Sequence, residues 1–399
     1  MHLKSRLPSG TALLPLAALL ITPHVVAACS SSSSAGAATP IATPDSGGSP
    51  PPEDAAPAIV PDAAPVVDPV CEAFHAKLDA DLNDYATTAG AKHESVFALS
   101  TPRCGTHVSV AHEETPGVAR GYPVGSITKT YVAATVMSLV DEGKVALDTP
   151  VGTYLPDIPS GEVITVRNLL SHRSGLYNYT ASNGYSETAT YTPAQLVAIA
   201  AAQPRGFTPG SEFSYSNTNY IVLGMLVEAV TKTTAERSIR ARALAPASLQ
   251  FTWMSGLEAE RAPVASGWRT GTAAATPVNP SGPWTAGSMV ATPSDALKWM
   301  RALIRSEVLA QDITDQMIPE PRRGAYGLGL LALPASDTLG LGNMYGHAGA
   351  VGTFRSQLFY SPDRDVTVFA ATTQRSFNPN DILIATLPDV ATFLDEPKP

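Results

Sequence analysis

The stretch Gly121-Tyr-Pro-Val-Gly-Ser-Ile-Thr-Lys-Thr-Tyr-Val-Ala-Ala-Thr-Val-Met-Ser-Leu-Val-Asp-Glu-Gly-Lys144 decides how the rest of the chain is read. Ile127, Val132, Ala133, Val136, Met137 and Val140 recur at helical spacing, and Gly143 supplies a stop. Gly125 and Ser126 fall where an irregular approach meets that helix. Ser126 is therefore expected in the first turn, with Lys129, three residues on, on the same face. A serine hydroxyl is a weak nucleophile. An amine held beside it in a mostly apolar pocket gives up its own proton readily enough to accept the hydroxyl's. The helix amino end adds N–H groups and positive potential where an oxyanion would develop. Taken alone, Ser-x-x-Lys is more often an N-cap with a solvated lysine, so the weight rests on partners elsewhere in the chain.

The 399 residues can bury a large core, and 44% hydrophobic with 15% charged residues is ordinary globular composition. A net charge of -9 with no basic run speaks against nucleic acid as a partner. No apolar run of membrane-spanning length follows the first thirty residues. Ahead of the body, Lys4 and Arg6 flank an apolar stretch from Thr11 to Thr22, and Val26-Ala-Ala-Cys29 closes it. Small residues before a cysteine resemble a bacterial lipobox. Residues 1–28 are read as a lipoprotein signal peptide, Cys29 as the lipidated residue, and 29–70 as a disordered Ser/Pro/Ala-rich tether. The folded domain is placed at 71–399. The reading puts the protein at the bacterial cell envelope, held to a membrane through Cys29. Plain secretion with cleavage after Ala28 is the alternative. With Cys29 acylated, Cys71 and Cys104 remain, and in an exported protein they are expected to form a disulfide between the first helix and the end of the first strand.

Along the body, residues 71 to 89 read as a helix with Phe74, Leu78, Leu82 and Tyr85 on one side. Ser95–Ser100 and His107–Ala111 read as strands about a turn. A helical and loop-rich section runs from about 150 to 280, with helices at Thr165–Gly175, ended by Gly175, at Thr192–Ala202 and at Thr218–Thr231. Ser294–Ile304 follows as an amphipathic helix capped by Ser294. Tyr326–Leu331, Phe354–Tyr360 and Val366–Thr372 read as strands, and Asp381–Leu394 as a helix interrupted by Pro388. Strands at both ends with helices between them suggest one α/β unit carrying a helical insertion.

Three stretches carry the chemistry: Ser126-Ile-Thr-Lys129, Tyr215-Ser-Asn217 and His347-Ala-Gly349. Together, and in this order, they resemble the active-site serine hydrolases that include class C β-lactamases, D-Ala-D-Ala carboxypeptidase/transpeptidases and related esterases. Val140–Asp148, Ile164–Leu176, Phe213–Tyr220, Ala286–Thr292, Tyr326–Gly329 and Tyr345–Gly349 share that likeness, which covers roughly Cys71 to Leu394. The resemblance implies a β-lactamase/transpeptidase-like α/β (α+β) fold, a five-stranded antiparallel sheet flanked by helices with an all-helical insertion. It implies Ser126 as the acylated nucleophile, Lys129 as the group assisting its deprotonation, and Tyr215 as proton relay. Tyr215 would need a nearby cation such as Lys129 to lower its pKa or share its proton. Asn217 would hold the substrate carbonyl. His347 would lie on the strand edging the site and hydrogen-bond towards Tyr215 or Lys129. Gly349 and Ala350 would line the substrate, with the N–H groups of Ser126 and Ala350 as oxyanion hole. His172 and Trp284 read as structural. No metal-ligand spacing occurs, and neither a metal nor any other cofactor is expected.

Within the family, histidine at the start of the third motif is commoner among carboxypeptidases and esterases than among β-lactamases. The texture around Ser171–Tyr177 and Tyr215–Tyr220 is closest to the D-Ala-D-Ala carboxypeptidases. Those enzymes bind the substrate's terminal carboxylate through hydroxyls beside the motif and an arginine after Tyr-Gly-Leu-Gly. Here Ala348, Ala350 and Leu330-Leu-Ala-Leu333 occupy the corresponding places, with Thr353 or Arg355 as possible substitutes. Each charge-assisted bond so lost is worth about 1.5–3 kcal/mol. The reading is therefore a monomeric acyl-serine hydrolase, foremost a D,D-peptidase acting on cell-wall peptides. An esterase or β-lactamase of the same chemistry and a non-catalytic wall- or penicillin-binding protein are the alternatives.

Overall fold

The computed structural model describes residues 68–90, 94–267 and 277–396. The signal-like segment, Cys29 and nearly all of the tether lie outside these residues.

Helix α1, Pro69–Thr88, starts where Asp68 accepts the Val70 N–H at 2.9 Å and Pro69 occupies the first turn, where no donor is needed. It buries Phe74, Leu78 and Leu82, the stripe expected from sequence. Strands β1, Ser95–Thr101, and β2, Gly105–Ala111, form the first hairpin, and Cys104 in its turn is bonded to Cys71 of α1. The three carboxy-terminal long strands are β7, Met344–Val351, β8, Phe354–Ser361, and β9, Val366–Thr372. A short β6, Leu331–Leu333, sits at the edge. The order is β2-β1-β9-β8-β7-β6, antiparallel throughout, so the sheet has six strands and not the expected five. The extra strand lies just past the expected 326–331 run. Tyr326 and Leu331 pair only as an isolated bridge, and three apolar residues then add to β7.

Both faces of the sheet are covered at its centre, which is why β1 and β9 are buried, mostly apolar runs. On β1, Phe97 and Leu99 pack with α1 and with α9, Pro379–Asp395. Val96 and Ala98 face the other side, among α2, Thr128–Asp141, and α8, Pro293–Ile304. Helix α9 runs through Pro388 without a break. The carbonyl deprived of a donor belongs to Ile384, an exposed residue, so solvent can satisfy it, while Leu387 and Val390 stay buried. Helix α8 is capped two residues earlier than expected: Thr292, not Ser294, accepts the Asp295 N–H.

Between α2 and α8 lie the remaining elements that frame the site. They are α3, Val166–Leu170, α4, Pro193–Ala201, α5, Asn217–Thr231, and α6, Ala235–Ile239. A small sheet is built from β3, Tyr122–Pro123, β4, Thr252–Met254, and β5, Met289–Ala291, in the order β3-β5-β4. The single turn α7, Trp284–Gly287, precedes β5. Helix α3 stops at Leu170 and not at Gly175; its capping box, Thr165 with Asn168, closes only a short helix, and the chain turns at His172, whose φ is 56°. Trp284 is buried in the core cluster, as a structural residue would be.

Candidate active site

Ser126 lies in a 3₁₀ turn, Gly125–Ile127, that precedes α2 instead of within the helix proper. Its first bond runs from Ile127 N to Val124 O at 3.3 Å. The Ser126 N–H therefore comes before the ladder and is left for another acceptor. Two glycines let this turn press against β7. Gly125 has φ 54°, and a Cβ there would lie 2.5 Å from Ala350 N. A Cβ on Gly349 would lie 1.9 Å from Val124 O. Ser356 of β8 donates to that same Val124 carbonyl at 3.0 Å, tying the turn down from beneath.

Strands β7 and β8 are joined by the two-residue turn Gly352-Thr353, so Val351 and Phe354 close the hairpin as a hydrogen-bonded pair. Alternation makes Ala350 and Arg355 a non-hydrogen-bonded pair, which turns the Ala350 N–H away from β8 and towards the Ser126 turn. Because β6 pairs only with Met344 to Gly346, the edge of β7 from His347 to Val351 has no strand partner among the described residues. The site thus has two converging backbone donors and an open strand edge. A tetrahedral oxyanion and an extended substrate could use them.

Lys129 is fully buried and donates to three oxygens: Ser126 Oγ at 2.9 Å, Asn217 Oδ1 at 2.8 Å and Ala286 O at 2.7 Å. Its Nζ also lies 5.0 Å from the Tyr215 ring centroid and 5.5 Å from that of Tyr220. Three acceptors fit an ammonium, yet burial without a carboxylate pushes Lys129 well below the usual lysine range. Both facts serve one purpose: the amine is held by oxygens that favour its proton and by a medium that eases its release.

Ser126, Tyr215 and Asn217 are partly exposed, whereas Lys129 is buried. Asn217 receives a bond from Lys129 on its oxygen. Its amide donates to Thr180 Oγ1 at 3.2 Å and keeps a second hydrogen for a substrate carbonyl. Burial raises the Tyr215 pKa, the Ser126 hydroxyl opposes that rise, and its hydroxyl stays neutral at physiological pH. The expected cation, Lys129, does lie 5.0 Å from the ring centroid, yet burial sets the direction of the shift.

His347 departs from expectation. It bonds to neither Tyr215 nor Lys129, whose donors are already engaged. Its Nε2 lies 3.0 Å from Tyr326 Oη, and its Nδ1 bonds to Ala348 O at 2.5 Å. Nδ1 must donate to that carbonyl, and in the neutral ring that burial favours Nε2 then accepts from Tyr326. Burial, aided by Lys129, lowers its pKa to about 3. Sequence reasoning missed Tyr326 as its partner, although Tyr326-Gly-Leu-Gly329 was visible as a motif.

The places that would meet a substrate carboxylate are apolar or pre-engaged. Ala348 and Ala350 offer methyl groups, and β6 offers Leu331, Ala332 and Leu333. Thr353 is buried with its Oγ1 unpartnered among the described residues. Arg355, opposite Ala350, is half-buried, donates from Nη1 to Phe354 O at 2.9 Å, and forms no ion pair among the described residues. Burial, and then Arg375, lower its pKa to about 10, with Glu187 acting against them. Among the described residues, no group of three or more His, Cys, Asp or Glu could hold a metal ion.

The sequence matches the family described as Beta-lactamase over residues 117–392. Penicillin-binding protein 4 of Amycolatopsis lactamdurans is 33% identical over 147 residues, 35% of this chain and 38% of that protein. Teichoic acid D-alanine hydrolase of Staphylococcus aureus is 26% identical over 258 residues, 62% of this chain and 60% of its own. The chain spans about half the length of the curated relatives it matches. A solved D-stereospecific amidohydrolase from Streptomyces sp. superposes with a TM-score of 0.67 at 28% identity, covering 78% of this chain and 98% of that one. The architecture is the β-lactamase/transpeptidase fold.

Proposed function

The chain belongs to the β-lactamase family of serine hydrolases, and on that premise we propose that it hydrolyses D-aminoacyl amides or esters through an acyl-enzyme on Ser126. One observation carries the mechanism: a buried, pKa-depressed Lys129 hydrogen-bonded to Ser126 Oγ at 2.9 Å. In its neutral form Lys129 takes the hydroxyl proton as Oγ attacks the carbonyl carbon. The oxyanion is received by the N–H groups of Ser126 and Ala350. Tyr215 delivers a proton to the leaving nitrogen or oxygen as the bond to it breaks, and Lys129 restores the proton to Tyr215. Water then repeats the sequence against the acyl-serine, returning the serine hydroxyl and releasing the acid.

Two findings support a leaving group without a carboxylate. Ala348, Ala350 and β6 offer no charge or hydroxyl to one, and His347 is neutral. The D-configuration is supported by the relatives, a D-alanine hydrolase and a D-stereospecific amidohydrolase. The test is release of D-alanine from D-alanyl p-nitroanilide, abolished in Ser126→Ala; turnover surviving that change refutes the mechanism.

The D,D-carboxypeptidase reading rests on Arg355, a half-buried guanidinium beside Ala350 with no ion pair among the described residues. Arg355→Ala separates the two. If a carboxylate docks there, activity on a D-Ala-D-Ala peptide falls about 10- to 150-fold, from the 1.5–3 kcal/mol of a charged hydrogen bond. On an uncharged anilide the same change has little effect. We also place the protein at the cell envelope through a lipid on Cys29. Cys29→Ala should move it from the membrane to the soluble fraction, and an unchanged distribution refutes the anchor.

A further inference from the structure

His172 has no part in the chemistry proposed above, yet it is fully buried beneath it. Its ring centroid lies 4.1 Å from that of Tyr215, 4.7 Å from Tyr326 and 5.3 Å from Tyr220. Its Nδ1 receives the Ser216 N–H at 3.3 Å and Asn219 Nδ2 at 3.0 Å, and its carbonyl receives the Ser214 N–H at 2.9 Å. Residues 214, 216 and 219 bracket Tyr215 and Asn217. One side chain and its own carbonyl therefore hold the turn that carries both.

The protonation state of the ring follows from these bonds. A backbone N–H can only donate, so Nδ1 must accept from Ser216. The Asn219 amide is oriented independently: Ser174 Oγ receives the Leu176 N–H at 3.0 Å and spends its own proton on Asn219 Oδ1 at 2.5 Å. That leaves the Asn219 NH₂ facing His172. The imidazole proton must sit on Nε2, which is buried without a hydrogen-bond partner among the described residues. Lys129, His347, Tyr215, Tyr220 and Tyr326 are the titratable groups around the ring, and none is a carboxylate. Burial, then Lys129 and His347, lower the His172 pKa well below the ordinary value of 6.5. Protonating Nδ1 would set two donors against each other at Ser216.

We infer that His172 is the positioning residue of this site: an uncharged Nε2–H imidazole that fixes Tyr215 and Asn217 against Ser126 by accepting the hydrogen bonds of their turn. The inference rests on the role proposed for Tyr215. An apolar residue would fill the space and still leave the Ser216 N–H and the Asn219 amide unpaired, so packing alone does not reproduce it. The Oδ1 of an asparagine would stand close to the place of Nδ1 and cannot titrate.

The experiment compares His172→Asn and His172→Leu in the full chain, using kcat and KM for D-alanyl p-nitroanilide and the rate of Ser126 labelling by phenylmethylsulfonyl fluoride. His172→Leu should lower kcat about 100-fold with KM nearly unchanged, the scale of a 1 Å misplacement, and His172→Asn should recover at least about tenfold of that loss. Equal losses in the two variants, or a loss confined to KM, overturn the inference. Nitrogen-15 NMR of histidine-labelled wild type decides independently of folding in His172→Leu. The signal that disappears in His172→Asn should report an Nε2–H tautomer that stays neutral well below the ordinary histidine value of 6.5. An Nδ1–H tautomer, or titration at the ordinary value of about 6.5, overturns it. A wild type that is never acylated at Ser126 would refute the proposed function, while the NMR result still judges the role of His172.

Discussion

Replacing Gly125 by alanine should disable the site without touching a reactive group. The new Cβ would lie 2.5 Å from Ala350 N and 2.8 Å from Ala350 C, where ordinary contact begins at 3.4 Å. The Ser126 turn and β7 must therefore separate by about 3.4 − 2.5 = 0.9 Å. Those two walls carry the N–H groups of Ser126 and Ala350, so the separation opens the gap an oxyanion would occupy. Loss of one oxyanion donor costs about 10²–10³ in kcat, and a 1 Å misplacement about 10². A 100- to 1000-fold fall in kcat with KM nearly unchanged is expected on D-alanyl p-nitroanilide. Gly125 also has φ 54°, so alanine there costs roughly 1–3 kcal/mol of stability, readable as a lower urea midpoint. A variant that keeps kcat within about threefold while folded would refute the assignment of the oxyanion site to this pair of walls.

Lys129→Met should lower kcat by about 10²–10⁴ while benefiting from an apolar fit, so activity falls without matching loss of stability; a kcat near wild type removes Lys129 from the mechanism. His347 is held neutral down to about 3 against an ordinary 6.5, so the unfolded chain takes up a proton first as pH falls. Its contribution is present above about 6.5 and is lost towards pH 3, at up to about 1.4 kcal/mol per pH unit. Denaturant titrations of His347→Gln at pH 6 and 5 should show a slope shallower by that amount, and an equal slope refutes the neutral ring. The Cys71–Cys104 bond closes a separation of 33 residues. Replacing both by serine should cost about 3–4 kcal/mol in the chain-entropy account, and an unchanged urea midpoint contradicts it.

What was legible in the sequence was whatever local pattern decides. Val366–Thr372 is buried throughout and mostly apolar because both faces of β9 are covered, and its limits could be read directly. The α2 helix and its Gly143 stop were equally plain. The partners of the histidines were not. His347 was expected to reach Tyr215 or Lys129, but three oxygens from α2's own turn, α5 and α7 already take the lysine's donors. Tyr326, 21 residues upstream, takes His347 instead. Short edge strands escaped for a related reason: β6 is three residues long, too few to show a period, and exists because β7 offers it an edge. His172 read as a structural residue because its loop was rich in hydroxyls. The structure gives it a backbone N–H and an amide brought from 44 and 47 positions away.

The titratable side chains packed around Ser126 share one electrostatic condition. Lys129 and His172 are displaced downward and Tyr215, Tyr220 and Tyr326 upward, and for each the first cause is burial; His347 follows the same rule. Each shift favours the neutral form, so the cluster carries little fixed charge in its resting state. That suits proton traffic, because a proton leaving Ser126 for Lys129 creates charge where the oxyanion and two N–H groups can meet it. It also limits what can enter. A carboxylate driven into this cluster would lose its hydration against methyl groups at Ala348 and Ala350, whereas an amide or ester carbonyl loses far less. Arg355 stands apart on β8, on the far side of Ala350, with its guanidinium half-buried. On the proposed reading Arg355 is where substrate charge would be met, so exchanging it should change which substrates are accepted and leave the pH dependence of kcat on uncharged ones in place.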